Sequence, residues 1–414
     1  MNSRERILAA LNHVQPDKVP IDCGGHRSSS FSVQAYKNLR EYLSMPKSDL
    51  YVYAPIEQLV YPDQDVLELF GIDVIGLGRD FIYNDDYWKD WTMHDGTSVK
   101  IPKFVDIRDI DRDSVMYNSK GRPIAIQKEH SLYFEQSVFP REDDDSDDFS
   151  NLEENFRDVV WLSTWVAPSP LGYEGEDFLY RREYARKTRA NTDRAIYAYG
   201  PVGCCFFEAT QYIMGMRYAL QNLAARPKLM HKFLDKLLEV FMRDMEREIA
   251  SCGDSIDIIG LFDDYGMQTG LMISPNMYRE FFKPMQKELC SFTKKLKPNV
   301  KICLHSCGAV GSLIGDFIEA GIDAINPVQT SCAGMDLVKL KKEYGRDITF
   351  WGGGCDTTEI LPYGTPSQVR DHVLKNLDVM FKDGGYVFQQ THNILADVPP
   401  ENIVAMFEAV REYA

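Results

Sequence analysis

Short apolar runs bounded by turn residues alternate with longer amphipathic stretches along most of this 414-residue chain. The first amphipathic stretch places Ile7, Leu8 and Leu11 at helical spacing behind Ser3, which predicts a helix capped by that serine. Apolar runs rich in Val, Ile, Leu and Phe are typical of parallel strands buried on both faces. Eight segments have this character: residues 19–22, 73–77, 195–199, 256–261, 300–304, 323–326, 348–351 and 386–388.

Helical patterns separate these strand candidates, most clearly in the carboxyl-terminal half, at residues 275–296, 310–320, 336–344 and 365–382. Eight strands alternating with helices predict an α/β fold, the (β/α)8 TIM barrel. A doubly wound sheet is the alternative. It lacks support, because no G-x-G-x-x-G fingerprint follows a predicted strand and the chain has no P-loop signature.

The interval between the second and third strand candidates is much longer than the others. It contains an aromatic-rich segment at 81–91 and an acidic run at 142–148, which we predict to be a solvated loop. The pair Trp161 and Trp165 is expected to form a helix stripe that packs on the barrel. We therefore predict one barrel domain over residues 1–414, with an insertion at about 78–194 at the mouth, where loops carry substrate choice.

Composition narrows the picture mainly by exclusion. An apolar content of 44% with 12% aromatic residues is ample for a large core. The net charge of −16 argues against nucleic acid or an anionic membrane as a partner. Nine cysteines cannot all pair within the chain, and neither a signal-like start nor an apolar stretch of roughly 20 residues is present. We expect a cytoplasmic protein whose thiols are available to metal.

Candidate metal ligands follow two of the predicted strands. His305 and Cys307 are two residues apart on an extended segment, so their side chains point the same way, and Cys355 closes the glycine stretch at 352–354. One imidazole and two thiolates suit zinc with its fourth position open for substrate. The carboxyl ends of barrel strands share one face, which favours a common site. The alternative is that both cysteines are small buried hydrophobes, because a lone His-x-Cys is a weak motif.

Further polar residues are expected at the same face. Of the adjacent acids Asp263 and Asp264, one can face the pocket, where it would orient substrate or accept a hydrogen bond from His305, and the other can cap the next helix. His392 follows the last strand and is a candidate fourth ligand, proton carrier or plain loop residue. We take Asp264 and His392 as the catalytic candidates, with Glu208 as a weaker pocket candidate.

Several segments resemble the uroporphyrinogen decarboxylase superfamily, in its cobamide-dependent methyltransferase branch. These segments lie at residues 2–13, 16–20, 263–268, 274–275, 305–308, 360–366 and 398–403. The resemblance implies a TIM barrel that transfers a methyl group to or from a corrinoid (a methylcobamide) carried on a separate protein. In zinc-dependent members a His-x-Cys and a distant Cys hold the metal, and these map here onto His305, Cys307 and Cys355.

The function expected from this likeness is zinc-dependent methyl transfer between a corrinoid protein and a small thiol or a methoxylated or methylated compound. The first alternative is cofactor-free decarboxylation of the uroporphyrinogen type. It is disfavoured because the segment 22–27 holds a single arginine, where true decarboxylases use an arginine-rich loop to grip propionates. A metal- or corrinoid-binding module without catalysis is the second alternative.

Overall fold

The computed structural model describes residues 1–77, 85–163, 175–199 and 204–413. Seven parallel strands form its central sheet, and neighbours in the sheet are also successive barrel strands in the chain. We number them second to eighth along the barrel: Val74–Gly76, Ala195–Tyr199, Ile258–Phe262, Lys301–His305, Ala324–Asn326, Thr349–Trp351 and Tyr386–Val387.

Residues 20–22 close this sheet into a barrel as its first strand. The Asp22 amide donates to the Phe388 carbonyl (2.9 Å), and the Phe388 amide donates to Pro20 (2.8 Å). On the other side the Asp73 amide donates to the Ile21 carbonyl (2.8 Å). The (β/α)8 prediction is thereby confirmed, with the first strand reduced to a single bridge between Ile21 and Phe388.

Helices surround the sheet, and side-chain hydrogen bonds cap the amino-terminal ends of several of them. The opening helix is capped by Asn2, which exchanges hydrogen bonds with Glu5 in a capping box, so the prediction of Ser3 as cap was one residue off. Thr365 and Gln368 form a second box. The helices are Ser3–Leu11, Val33–Tyr42, Gln64–Phe70, Leu152–Phe156, Val160–Ser163, Gly175–Ala190, Phe206–Met214, Met216–Ala225, Pro227–Cys252, Pro275–Met277, Lys283–Leu296, Ile314–Ala320, Leu337–Tyr344, Ile360–Tyr363, Pro366–Met380 and Pro400–Glu412. In the described part of the chain, none of them has the length and apolar content needed to cross a bilayer.

The opening helix closes the amino-terminal end of the barrel. Its apolar residues Ile7, Ala10 and Leu11 belong to the same buried cluster as the inward-facing strand residues, including Tyr197 and Trp351. Arg6 on this helix is buried, donates to Asp73 (2.5 Å) and to Asp17 (2.8 Å), and so ties the helix to the second strand.

Two antiparallel sheets occupy the first part of the predicted insertion. One pairs Trp88–Thr92 with Ser98–Pro102, and the other contains Asp106–Ile110, Asp113–Tyr117, Pro123–Gln127 and Glu135–Gln136. A third small sheet, before the second barrel strand, contains Phe31–Ser32, Val52–Ala54 and Leu59–Val60.

The predicted range of 78–194 also includes a helix of the barrel itself. Helix Gly175–Ala190 leads into the third strand and packs on Pro227–Cys252 through a buried Arg181–Glu248 ion pair. The acidic run is largely exposed, but its carboxylates bind Arg217, Arg226 and Lys232 of the helices beside it.

Candidate active site

The strand register places three side chains in one layer at the carboxyl-terminal end of the barrel. His305 ends the fifth strand and is paired with Phe262 on one side and Asn326 on the other. Alternation along the strand turns His305 inward, in line with the buried Cys303. The ring of His26, from the loop after the first strand, lies 5.3 Å from the His305 ring and covers the barrel core below it.

Asn326 determines which nitrogen of His305 carries the proton. Its side-chain amide donates to the Trp351 carbonyl and to Gln389 Oε1, both at 2.8 Å, so its oxygen faces His305. That oxygen lies 2.6 Å from His305 Nδ1 and therefore accepts the Nδ1 proton. The Nε2 lone pair is left free for a ligand, which is the arrangement that metal-bound histidines use. Asn326, and neither Asp263 nor Asp264, therefore accepts the hydrogen bond that one of these acids was expected to take from His305. That one of the acids orients substrate stays a prediction.

His305, Cys307 and His392 bring potential metal-binding atoms within 4.8 Å of one another. His305 Nε2 is 3.3 Å from Cys307 Sγ, and the rings of His305 and His392 are 5.7 Å apart. Zinc held tetrahedrally by nitrogen at about 2.0 Å and sulfur at about 2.3 Å separates those two atoms by roughly 3.5 Å. The chemistry and spacing of this group therefore fit zinc.

Cys355 lies outside this group among the described residues. Its side chain is fully buried, and its sulfur is 3.8 Å from the Asp356 carbonyl. The preceding Gly352 has φ of 130°, and a side chain there would collide with the Pro327 carbonyl. The glycine stretch thus serves close packing against the loop after the sixth strand. The role of Cys355 as a ligand stays a prediction.

Asp264 fixes the backbone of the loop that carries Cys307. Its carboxylate accepts a hydrogen bond from the Cys307 amide (2.6 Å) and lies 3.8 Å from His305 Nε2, too far for a hydrogen bond. The two loops also touch through Gly266 and Gly308. Gly308 has φ of 87°, and a Cβ there would overlap the Gly266 backbone, so this approach requires glycine.

Asp263 points away from the cavity into the protein. It is fully buried and accepts hydrogen bonds from the Glu208 amide (2.8 Å), the Tyr265 hydroxyl (2.6 Å) and Gln286 Nε2 (3.1 Å). Burial raises the pKa of this carboxyl to about 7. One of the adjacent acids was expected to cap the next helix, but Asp263 instead accepts a hydrogen bond at the amino-terminal end of an earlier helix, Phe206–Met214.

A cavity of about 220 Å³ opens above this layer. Asp264, His305, His392 and Glu208 line it, together with Arg27, Ser28, Glu57, Trp161, Tyr212, Phe262 and Asn393. Arg27 is bound to Glu57 at 2.6 Å, and its guanidinium lies 5.5 Å from the centre of the Trp161 ring. Trp161 therefore lines the cavity as well as packing on the barrel, whereas Trp165 lies outside the described residues.

Burial shifts two titratable side chains of this cavity in ways that matter for chemistry. It lowers the pKa of His392 to about 4, helped by nearby His305, so the ring is neutral near pH 7 and has a free lone pair. Burial, then the charges of Asp264 and Asp263, raise the pKa of Glu208 well above its usual range. A neutral His392 suits a ligand better than a proton carrier, while a protonated Glu208 can supply a proton.

Several residues of the site were not assigned by sequence reasoning. Asn326 ends the predicted strand at 323–326 but was given no role, and Glu57 and Tyr212 gave no signal, because each reaches the site from an element whose position depends on the fold. Glu57 lies in the turn before strand Leu59–Val60, and Tyr212 is on helix Phe206–Met214.

Comparison with known proteins places the chain in a family. The model of the uroporphyrinogen decarboxylase (URO-D) family matches residues 150–413, more than half of the sequence. The chain belongs to this family. The uroporphyrinogen decarboxylase of Chlorobium limicola is 25% identical over 241 residues, which are 56% of this chain and 64% of that protein. The enzyme of that name from Wolinella succinogenes is 25% identical over 311 residues, 73% of this chain and 81% of its own length. The chain thus spans slightly less than two thirds of the length of some of its curated relatives.

A solved structure matches the whole chain. The methyltransferase from Methanosarcina mazei superposes with a TM-score of 0.59, covering 100% of this chain and 99% of its own, at 16% sequence identity. The chain therefore shares its barrel fold with a protein named a methyltransferase, while its sequence relatives are named decarboxylases.

Proposed function

We propose that the chain is a zinc-dependent methyltransferase that moves a methyl group between a corrinoid on a separate protein and a small thiol or a methoxylated or methylated compound. The observation that carries this proposal is the group formed by His305, Cys307 and His392 at the open end of the barrel. Zinc bound there would act as a Lewis acid that lowers the pKa of a bound thiol or hydroxyl and makes a phenol, alcohol or thiol a better leaving group.

The residues around this group prepare it for metal. Asn326 holds the His305 proton on Nδ1, and Asp264 holds the Cys307 amide. Burial and the Asp264 carboxylate raise the pKa of the Cys307 thiol, so metal binding must displace a proton from sulfur and should strengthen as pH rises. His305 and Cys307 are two ligands of the proposed site, and His392 and the predicted Cys355 compete for the third position.

Glu208 and Asp264 have separate tasks in the proposed reaction. Burial, Asp264 and Asp263 favour the protonated form of Glu208, which can give its proton to the oxygen or sulfur that loses the methyl group. Asp264 positions the Cys307 loop. Arg27 is held by Glu57 and closes one wall of the cavity against Trp161.

Porphyrinogen decarboxylation is the competing function, and the charge of the cavity disfavours it. Among the described residues lining the cavity, Arg27 is the single arginine or lysine, and Glu57 neutralises it. Glu208 and Asp264 add carboxyl groups beside it. A substrate with several propionates needs cations at its binding surface, so this cavity is poorly suited to one.

The test combines metal identity with methyl transfer. Zinc-loaded protein is mixed with methylcobalamin and thiols, or with reduced cobalamin and methoxylated compounds, and the cobalt spectrum is followed. Transfer that disappears in Cys307→Ala supports the proposal, whereas decarboxylation that survives this change supports the alternative. X-ray absorption at the zinc edge counts sulfur ligands: one sulfur identifies His392 as the third ligand, and two identify Cys355.

A further inference from the structure

A second cavity, of about 550 Å³, adjoins the candidate active site. The two cavities share Glu57, Trp161, Tyr212 and His392. The outer cavity adds residues of the insertion and of the helical region after the third strand: Tyr133, Phe134, Glu135, Gln136, Phe139, Gln211 and Met216. A molecule in the outer cavity therefore has direct access to the neighbourhood of His305 and Cys307.

Aromatic side chains are the largest group in the lining of the outer cavity. Five of its eleven residues are Phe, Tyr or Trp, and Met216 adds a polarisable side chain. The rings of Trp161 and Tyr212, both in the lining, stack with their centroids 5.7 Å apart and 14° between their planes. Tyr133 and Met216 are 37% and 51% exposed. Apolar side chains left open around a concavity are typical of a ligand site rather than of a closed core.

The wall contributed by the insertion is fastened to the barrel. Gln136 Nε2 donates to the Tyr212 carbonyl (2.7 Å), and the Arg141 amide donates to the Ile213 carbonyl (2.9 Å). Both acceptors lie on helix Phe206–Met214, which follows the third strand. The aromatic residues at 133–139 are therefore held against the mouth by hydrogen bonds to the barrel's own helix.

The charges of the outer cavity exclude an anionic ligand. Within the described residues that line it, there is no lysine or arginine, and Glu57 and Glu135 supply two carboxyl groups. Glu57 is bound to Arg27, and Glu135 lies at the solvent edge. A neutral ring carries no charge that must be desolvated when it enters this cavity. An anionic ligand would lose its hydration and lie beside carboxylates without a compensating cation.

We infer that the outer cavity binds the aromatic ring of a neutral aryl methyl ether, with the methoxy group directed toward His305 and Cys307. This inference rests on the proposed methyl transfer for the fate of the methyl group. The bond between the methyl carbon and the ether oxygen breaks, and its electron pair stays on oxygen. Cobalt(I) of the corrinoid protein supplies the pair for the new cobalt–carbon bond, and the released phenolate takes a proton from Glu208, which water then restores.

Binding measurements test the inference without the corrinoid protein. Zinc-loaded full-length protein is titrated calorimetrically with 2-methoxyphenol, 2-methoxyethanol and 4-methoxybenzoate. We expect 2-methoxyphenol to bind at least about tenfold more tightly than either of the others, because only it offers a ring without a negative charge. Equal affinities for the three compounds, or no binding of 2-methoxyphenol, would overturn the inference.

Two exposed positions locate the ring. Tyr133→Ala and Met216→Ala should each weaken 2-methoxyphenol binding by roughly tenfold while zinc content stays unchanged. Tyr42→Ala changes a residue that is 54% exposed on helix Val33–Tyr42 and lines neither cavity; it serves as the control and should have no effect. Unchanged affinity in both cavity variants would also overturn the inference.

The outcome for the aromatic ligand is separable from that for the function. Methyl transfer from a thiol or an alkyl ether without any binding of 2-methoxyphenol would refute the ring site and leave the methyltransferase proposal standing. Binding that depends on Tyr133 and Met216, in a protein that transfers no methyl group, would establish the ring site and count against the proposed function.

Discussion

At the amino-terminal end of the barrel, Arg6 lies between Asp17 and Asp73, and Asp257 accepts hydrogen bonds from Arg4 and Arg189. The buried members of this group, Arg6, Asp73 and Asp257, are each met by an opposite charge, and the opening helix excludes water from the core beside them. At the carboxyl-terminal end Glu208 and Asp264 instead line a cavity together with His305 and His392, and Cys307 lies beside the two histidines.

The contrast shows how one barrel separates stability from chemistry. Paired charges at the closed end lock the first and second strands, because Asp73 also accepts from the Ile21 amide (3.0 Å). At the open end, Glu208 and Asp264 have no lysine or arginine partner among the described residues, and two imidazoles are retained beside the cavity, which costs stability and suits binding. Substitutions at the two ends should therefore affect different measurements.

The largest expected effect is at the closed end. Asp73→Ala leaves the buried Arg6 guanidinium with Asp17 as its remaining carboxylate partner and frees the Ile21 amide. We expect a loss of about 3–5 kcal/mol in the free energy of unfolding, measured by denaturant titration, without a change in zinc affinity. Glu183→Ala, which breaks the exposed pair with Lys187, is the control and should cost less than about 1 kcal/mol. If both variants lost less than about 1 kcal/mol of unfolding free energy, the buried charges of the closed end would not stabilise the barrel more than exposed pairs do.

His392 should make the open end sensitive to acid. Its folded-state pKa of about 4 lies below the ordinary 6.5, so folding favours the neutral ring. The stability that results is present above pH 6.5 and is lost as pH falls through 4. Over that interval the metal-free wild type should lose up to about 3 kcal/mol more unfolding free energy than His392→Gln. His130→Gln, at a ring with 92% of its surface exposed, should follow the wild type. Parallel curves for wild type and His392→Gln would contradict the burial argument.

Asn326→Ala should reduce zinc affinity by about 10- to 100-fold, because His305 loses the partner that fixes its tautomer. Competition with a chromogenic chelator measures this change. Asn402→Ala is a matched control, since Asn402 is also buried and donates to the Leu361 and Gly364 carbonyls away from the site. It should lower stability and leave zinc affinity intact. An equal loss of affinity in both variants would mean that Asn326 acts only through stability.

Much of the barrel could be predicted from the sequence, because strands buried on both faces leave continuous apolar runs. All eight strand candidates contribute to the barrel, although residues 20–22 form only a bridge. The two antiparallel sheets between residues 88 and 136 were not predicted. Exposure patterns there are mixed, as in Asp106–Ile110, where no residue is buried, so the period-two signal is weak.

The site was predictable where its residues follow the ends of predicted strands, as His305, Cys307 and His392 do. His305 and Cys307 share a strand end, and their proximity follows from alternation. The partnership of His305 with Asn326 depends on the register between the fifth and sixth strands, and the approach of His392 depends on closure of the barrel. Neither is encoded locally. The direction of the Cys355 side chain depends in turn on the glycine backbone at 352–354, which admits conformations that other residues avoid.

Zinc content is the most direct test of the central claim that the open end of the barrel is a metal centre. The protein is purified without chelators or metal-affinity resin, and zinc is measured by elemental analysis in wild type, Cys307→Ala and His305→Ala. We predict about one zinc per wild-type chain and its loss in both variants, with folding retained. Wild type that holds no zinc even after zinc is supplied, or variants that keep it, would contradict the account.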